Sequence, residues 1–169
     1  MIDNEILLDY QPTGCKIGGV AQSRQNAKDD LTVVNAISDR FQGHNFPPAL
    51  LIGLASRESQ CGRLLDEKGY GDNGHAYGIC QIDTRWHSII GAPDSVEHIS
   101  QADSILTIYL AQIKGNHPDW PQARQIQGAI AAYNMGVHAV QTLDGMDIGT
   151  THNDYSNDVW ARALFFAGY

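Results

Sequence analysis

The chain has 169 residues, a hydrophobic fraction of 43% and a formal net charge of −8. That length suits one domain, residues 1–169, with a full core, and no apolar run is long enough to span a membrane, which excludes membrane insertion. The absence of any Lys/Arg stripe excludes nucleic acid as a partner, and the acidic balance means that an anionic target must be held by local contacts rather than bulk attraction.

Residues 1–23 are mixed and turn-rich, with Gln11-Pro12-Thr13-Gly14 and Gly18-Gly19, and read as an irregular N-terminal arm packed on the domain. They contain no basic region followed by an apolar stretch, so no signal peptide is visible. From Ala27 onward, Leu31, Val34, Ile37 and Phe41 recur near three-residue spacing and predict an amphipathic helix ending by Gly43. Asn45-Phe46-Pro47-Pro48 breaks the chain, and proline at the first turn predicts a new helix from about Pro48. On that helix Leu51, Leu54, Ala55 and Glu58 share one face, which places a carboxylate where the pattern demands an apolar side chain. Loss of water around a carboxylate disfavours its charged form and keeps it protonated, the state a general acid requires. A structural Glu58 paired with Arg57 or Arg63 is the competing reading.

Gly69-Tyr70-Gly71-Asp72-Asn73-Gly74-His75-Ala76-Tyr77-Gly78 predicts a hairpin or tight loop, because glycines and an Asp-Asn-Gly turn cannot continue a helix. Ile79-Cys80-Gln81-Ile82-Asp83 alternates like a strand, with Gln81 and Asp83 on one side. Paired carboxyls around a cleft are what glycoside hydrolysis needs: one protonated to release the leaving oxygen, one ionised. Thr84-Arg85-Trp86-His87 is expected to turn into a short helix. Ser100-Gln101-Ala102-Asp103 resembles a capping box ahead of Ile105, Leu106, Ile108, Tyr109, Leu110 and Ile113, a helix apolar enough to form the buried centre of a helical lobe. Ile126, Ile130 and Tyr133 mark the next helix, with Gly128 and neighbouring alanines allowing close packing. A short helix at 137–143, a loop at 147–151 with Asp147 as a brace, and a last helix carrying Tyr155, Val159, Ala163 and Phe166 complete the chain. The fold class expected is mainly α: a helical domain around a buried central helix, with a small antiparallel β-sheet at about residues 77–83 lining a cleft.

The seven histidines show no His-Glu-x-x-His or Cys/His ligand spacing, so neither a metal site nor a cofactor is expected. Cys15, Cys61 and Cys80 leave at least one thiol unpaired if all bridges are internal. A Cys61–Cys80 bridge is compatible with the spacing, and buried free thiols are the default. Cys80 as a nucleophile is disfavoured, since no base accompanies it.

Ser56-Arg57-Glu58-Ser59, Gly71-Asp72-Asn73-Gly74, Tyr77-Gly78-Ile79-Cys80-Gln81-Ile82-Asp83, Ala132-Tyr133-Asn134-Met135-Gly136 and the run from Met146 to Tyr155 resemble goose-type (g-type) lysozyme, in the same order, over roughly residues 27–169. The resemblance implies an α+β lysozyme-like fold and an inverting muramidase that cleaves the β-1,4 bond between N-acetylmuramic acid and N-acetylglucosamine. Glu58 then matches the proton donor, and Asp72 and Asp83 the residues that position the attacking water. Gln81, His87, Tyr133 and Asn134 match groove positions, and Tyr155 a tyrosine near the catalytic glutamate. Three features depart from the family pattern: Cys80 stands where methionine is common, Met135 interrupts Tyr-Asn-Ala-Gly, and the Glu58–Asp72 interval is one residue longer than in vertebrate members. Peptidoglycan or N-acetylated oligomers are the expected partners, a proteinaceous lysozyme inhibitor is a further candidate, and a secreted or extracellular monomer is expected. The alternatives are a lytic transglycosylase, which shares the Glu-Ser, Gly-x-x-Gln and Ala-Tyr-Asn motifs and forms 1,6-anhydro products without water, and a non-catalytic glycan-binding protein of the same fold.

Overall fold

The computed structural model describes residues 1–169. Where one helix was expected at 27–43, two occur: α1 (Gly19–Asp29) and α2 (Leu31–Ile37), followed by a 3-10 turn at Ser38–Phe41. The break falls at Asp30, whose fully buried carboxylate accepts the Ser56 hydroxyl at 2.6 Å and pairs with Arg63. That inward tertiary contact outweighs helical continuity, and periodicity alone does not reveal it. Nor is the N-terminal arm irregular throughout, since residues 4–9 form a 3-10 helix and α1 opens at Gly19. The arm is fastened by its backbone: Leu7 O accepts the Trp160 indole N–H at 3.0 Å, and Thr13 N–H donates to Asn157 Oδ1 at 3.0 Å.

Helix α3 (Pro48–Ser59) begins where the prolines predict and ends at Gln60, which adopts a left-handed conformation at φ 53°. Nine of its twelve residues are buried, so α3 is the central helix. It crosses α6 (Tyr155–Phe166) at Gly53, where a Cβ would lie 2.9 Å from Val159 O and 3.1 Å from Ala163 N. The expected centre, α4 (Val96–Asn116), buries Ile99, Ala102, Leu106 and Ile113 but leaves Ile108 58% exposed, so one face meets solvent. Its N-cap is Ser95, whose Oγ accepts the His98 N–H. Asp103 lies inside the helix and accepts the N–H groups of Asn45 and Phe46 at 3.0 and 2.9 Å, bracing the turn ahead of α3. Helix α5 (Gln122–Met135) packs on α4, and only Val137–Ala139 of the stretch 137–143 is helical, as a single 3-10 turn.

The antiparallel sheet is three short strands in order β1 (Tyr70–Gly71), β2 (Ala76–Tyr77) and β3 (Ile82–Asp83), with Tyr77 opposite both Tyr70 and Ile82. The strand expected over 79–83 is therefore confined to its last two residues. Residues 78–81 form a turn: Gln81 sits at φ 52°, and Gly78, at φ 76°, is pressed so closely on the His98 ring that a Cβ would fall 2.2 Å from it. Likewise 84–87 is a turn rather than a helix. The main core joins Leu7, Phe41, Phe46, α3, α4 and Trp160, and a smaller cluster around Ile113, Ala132 and Met146 lies beneath α5. All three cysteines are free thiols, and no helix is long and apolar enough to cross a membrane.

Candidate active site

Glu58 occupies the last turn of α3. The residue is half-buried, and its carboxyl lies deep among its neighbours. Burial is the main reason its pKa rises to about 7, with the negative charge of Asp72 pushing the same way, while the Tyr155 hydroxyl and the Arg57 charge oppose the rise. No cation pairs directly with Glu58. Arg57 instead pairs with Asp158 at 2.7 Å and Asp154 at 3.0 Å, and Arg63 pairs with Asp30. The structural pairing weighed in the sequence is therefore absent, because both arginines are claimed by acids on other elements. Tyr155 opens α6, is 1% exposed, and has a hydroxyl with no well-formed hydrogen-bond partner; burial and the neighbouring Glu58 raise its pKa well above the usual phenol range.

Asp72 follows β1 at φ 48°, a left-handed backbone that the following Asn73 shares at φ 53°. Asp and Asn tolerate this region better than other side chains, which is why the hairpin tip carries them. The Asp72 residue is exposed. Asp83 ends β3 and is gripped by Arg85, whose Nε and Nη2 donate to its two carboxylate oxygens at 3.0 and 2.8 Å. This fork, with the Arg85 backbone N–H, holds the Asp83 carboxyl down at about 2. Asp72 also acts on the Arg85 charge, so Arg85 sits within the field of both aspartates.

A cleft of about 360 Å³ is lined by Gln81, Asp83, Trp86, His87, Tyr133 and Asn134, with Ile82, Ile105 and Tyr109 among its apolar walls. All five of those positions that the sequence singled out, Gln81, Asp83, His87, Tyr133 and Asn134, thus converge on one space. Glu58, Asp72 and Tyr155 do not line it. Tyr133 joins the two groups: it borders the cleft, and its phenol pKa is raised by burial and by the nearby Cys80 and Glu58. Its hydroxyl donates to Cys80 O at 2.6 Å, fixing the ring against the 78–81 turn. Gln81 donates back to Gly78 O at 3.0 Å, so its side chain closes that same turn. Asn134, at the end of α5, accepts Thr151 N–H at 2.9 Å, and Thr151 O accepts Arg57 at 3.0 Å. Through Arg57 the Glu58 helix, the 147–153 loop and the cleft wall are tied together.

The sequence reading missed several supports. The short helix expected at 84–87 gives Arg85 no role, whereas the observed turn lets Asp-x-Arg spacing close the fork on Asp83. His98 is fully buried, and its Nε2 accepts the Cys80 N–H at 3.0 Å. Burial lowers its pKa to about 4, so the ring is neutral and able to accept. The buried set Ser23, Asp158, Arg162, Ser56 and Asp30 is linked side chain to side chain from α1 through α6 to α3. No sequence spacing announces it. Asp147 does brace its loop, its carboxylate accepting the Ser156 and Asn157 N–H groups at 2.8 and 3.0 Å.

A helical body, a three-stranded sheet, a cleft along that sheet and a glutamate whose pKa is raised by burial fit the lysozyme class of glycoside hydrolase. Comparison with known proteins narrows this. A profile of the family described as Lysozyme g matches residues 9–168. Lysozyme g of Casuarius casuarius is 39% identical over 155 residues, covering 88% of this chain and 82% of that protein. Lysozyme g of Gallus gallus is 40% identical over 160 residues, covering 92% of this chain and 75% of that protein. A Glycine, glutamate and proline-rich protein of Lottia gigantea is 44% identical over 156 residues, which are 86% of this chain and 37% of that protein. The chain belongs to the lysozyme g family, the goose-type lysozymes, and is a muramidase-type glycoside hydrolase.

Proposed function

We propose that this protein hydrolyses the β-1,4 bond between N-acetylmuramic acid and N-acetylglucosamine in peptidoglycan with inversion, using Glu58 as general acid and Asp72 and Asp83 to hold the attacking water. The observation that carries the reading is the Glu58 carboxyl, raised to about 7 by burial beside Tyr155 with no cation paired to it. Its proton passes to the glycosidic oxygen as the C1–O bond breaks. Water adds to C1 from the opposite face, and its proton leaves to a carboxylate.

The two aspartates divide this work. Asp83, tied by Arg85, is ionised throughout the useful pH range and is a poor proton acceptor, so it orients water and opposes the positive charge developing at C1. Asp72 has no side-chain hydrogen bond competing for its carboxylate and takes the proton. An inverting reaction needs room for water between acid and base, about 6.5–9.5 Å between carboxyls, and a hairpin tip opposite a helix end suits that gap. Gln81, His87, Tyr133, Asn134 and Tyr155 bind and orient the sugar. The substrate lies outside the bacterial membrane, which supports action by a secreted protein.

The test is mass spectrometry of fragments released from purified peptidoglycan, with Glu58→Gln as control. Reducing muramic ends from the wild type and none from the variant are expected. Products one water lighter, with 1,6-anhydro ends, would replace hydrolysis by transglycosylation and remove water activation from Asp72 and Asp83. No release by the wild type, with chito-oligosaccharide binding retained, would leave a glycan-binding protein. Asp72→Asn and Asp83→Asn should each slow hydrolysis, the pair together far more, and unchanged rates would refute the division of labour.

A further inference from the structure

Trp86 is 81% exposed yet forms part of the cleft wall. The other two tryptophans are satisfied elsewhere: Trp160 is fully buried, and Trp120 stacks on His117 with ring centroids 3.8 Å apart and planes 9° from parallel. A large indole left in water beside a cleft of mixed polar and apolar lining is an informative exception to ordinary burial. Its placement is not loose. The N–H groups of Trp86 and His87 both donate to Asp83 O, at 3.2 and 3.0 Å, and the Arg85 side chain clamps the Asp83 carboxylate in the same turn. The backbone that carries the indole is therefore held at a fixed offset from Asp83.

We propose that Trp86 is a sugar-stacking platform, a specificity-determining residue that binds one N-acetylated pyranose ring of a bound glycan chain. This rests on the glycan-cleaving function proposed above. A β-linked N-acetylglucosamine ring carries its hydroxyl and amide groups at its edge and presents axial C–H groups on its faces. An indole matches such a face in size and polarity, while Gln81, Asp83 and Asn134 supply polar groups for ring edges. Ile89 and Ile90 are also exposed nearby in sequence, at 40% and 51%, but they do not line the cleft. The mixed lining around Trp86, with Gln81, Asp83 and Asn134 beside Ile82, Ile105 and Tyr109, suits a carbohydrate, whose ring faces are apolar and whose edges are polar. Because the platform lies along the cleft wall rather than at Glu58, its contribution reaches only glycans long enough to extend there.

The test uses Glu58→Gln, which on the proposed function should hold oligosaccharide without turnover, and follows tryptophan emission during titration with chitohexaose and with chitobiose. Chitohexaose should shift the emission to shorter wavelength and protect it from acrylamide quenching. Adding Trp86→Ala should abolish both effects and weaken hexaose binding about tenfold, while Trp86→Phe should retain most of the affinity and chitobiose affinity should hardly change. In the otherwise wild-type enzyme, Trp86→Ala should raise KM for long glycans with kcat nearly unchanged. Equal hexaose affinity with and without Trp86, in a protein that still cleaves peptidoglycan, would overturn the platform and leave the proposed function standing. Failure of the wild type to cleave and of Glu58→Gln to bind would overturn both.

Discussion

Replacing Glu58 by glutamine removes a proton site whose affinity differs between the folded and unfolded chain. The folded carboxyl titrates at about 7 against an ordinary 4.5. At about 1.4 kcal/mol per pH unit, that interval corresponds to about 3 kcal/mol of pH-dependent stability. The folded state binds the proton more tightly, so as pH rises from 4.5 to 7 the unfolded chain gives it up first and the fold loses stability. The loss is complete above the folded value, where a charged carboxylate must be kept away from water. Glutamine has nearly the same shape and no proton to lose, so Glu58→Gln escapes this penalty. Urea denaturation of both proteins at pH 4.5 and pH 8 measures the effect, and their stability difference should change by about 3 kcal/mol in favour of the variant at the higher pH, about 8 °C in Tm for a chain of this size. Every other titratable group is common to the two proteins and cancels in the comparison. Parallel stability curves would refute the burial argument, and with it the claim that Glu58 is protonated near neutrality.

Tyr155→Phe deletes the hydroxyl that stabilises the charged form of Glu58, so the alkaline limb of kcat/KM should move up by about one pH unit, the scale of one charged hydrogen bond. Since that hydroxyl has no other partner, Tm should change little; an unmoved limb would remove Tyr155 from the proton-donor environment. Arg85→Ala releases Asp83 from about 2 toward its ordinary 3.8, and the acid limb of the pH–rate profile should rise with it; an identical acid limb would mean that Asp83 does not govern the rate. Asp158→Ala leaves Arg57 and Arg162 buried without their shared acid and should cost about 3–5 kcal/mol in chemical denaturation. A loss below about 1 kcal/mol would show the network to be dispensable.

What the sequence disclosed was largely what local chemistry controls. Pro47-Pro48 set the start of α3, the helical face put Glu58 inward, and Asp-Asn-Gly placed the hairpin tip. What it hid depends on partners far along the chain. Asp30 interrupts a periodic helix because Ser56 and Arg63 draw its carboxylate inward. Ser100-Gln101-Ala102-Asp103 mimics a cap, but Asp103 is committed to the backbone of Asn45 and Phe46, and the true cap lies at Ser95. The alternation of Ile79 to Asp83 puts Gln81 and Asp83 on one side of a strand; both line the cleft, but so does Ile82, because the backbone path differs: His98, nearly twenty positions later, holds the chain in a turn through the Cys80 N–H. Glu58 was readable because a carboxylate on an apolar face is locally anomalous. Arg85 and Trp86 were not, because their significance comes from a turn that the pattern concealed.

The three thiols bear on where such an enzyme can be made and used. Cys61 and Cys80 are buried, their pKa values raised by burial, to about 12 for Cys61, and Cys15 is half-buried with its Sγ donating to Ile17 O and Gly19 O. A thiol that does not ionise is a poor substrate for oxidants and for disulfide exchange. Nothing covalent holds the arm, α3 or the cleft turn together, so the native state requires neither an oxidising compartment nor a disulfide-forming helper. With no disulfide to form or break, the chain should reach the same active conformation from bacterial cytosol as from an oxidising medium, and reductant should leave its wall-degrading activity intact.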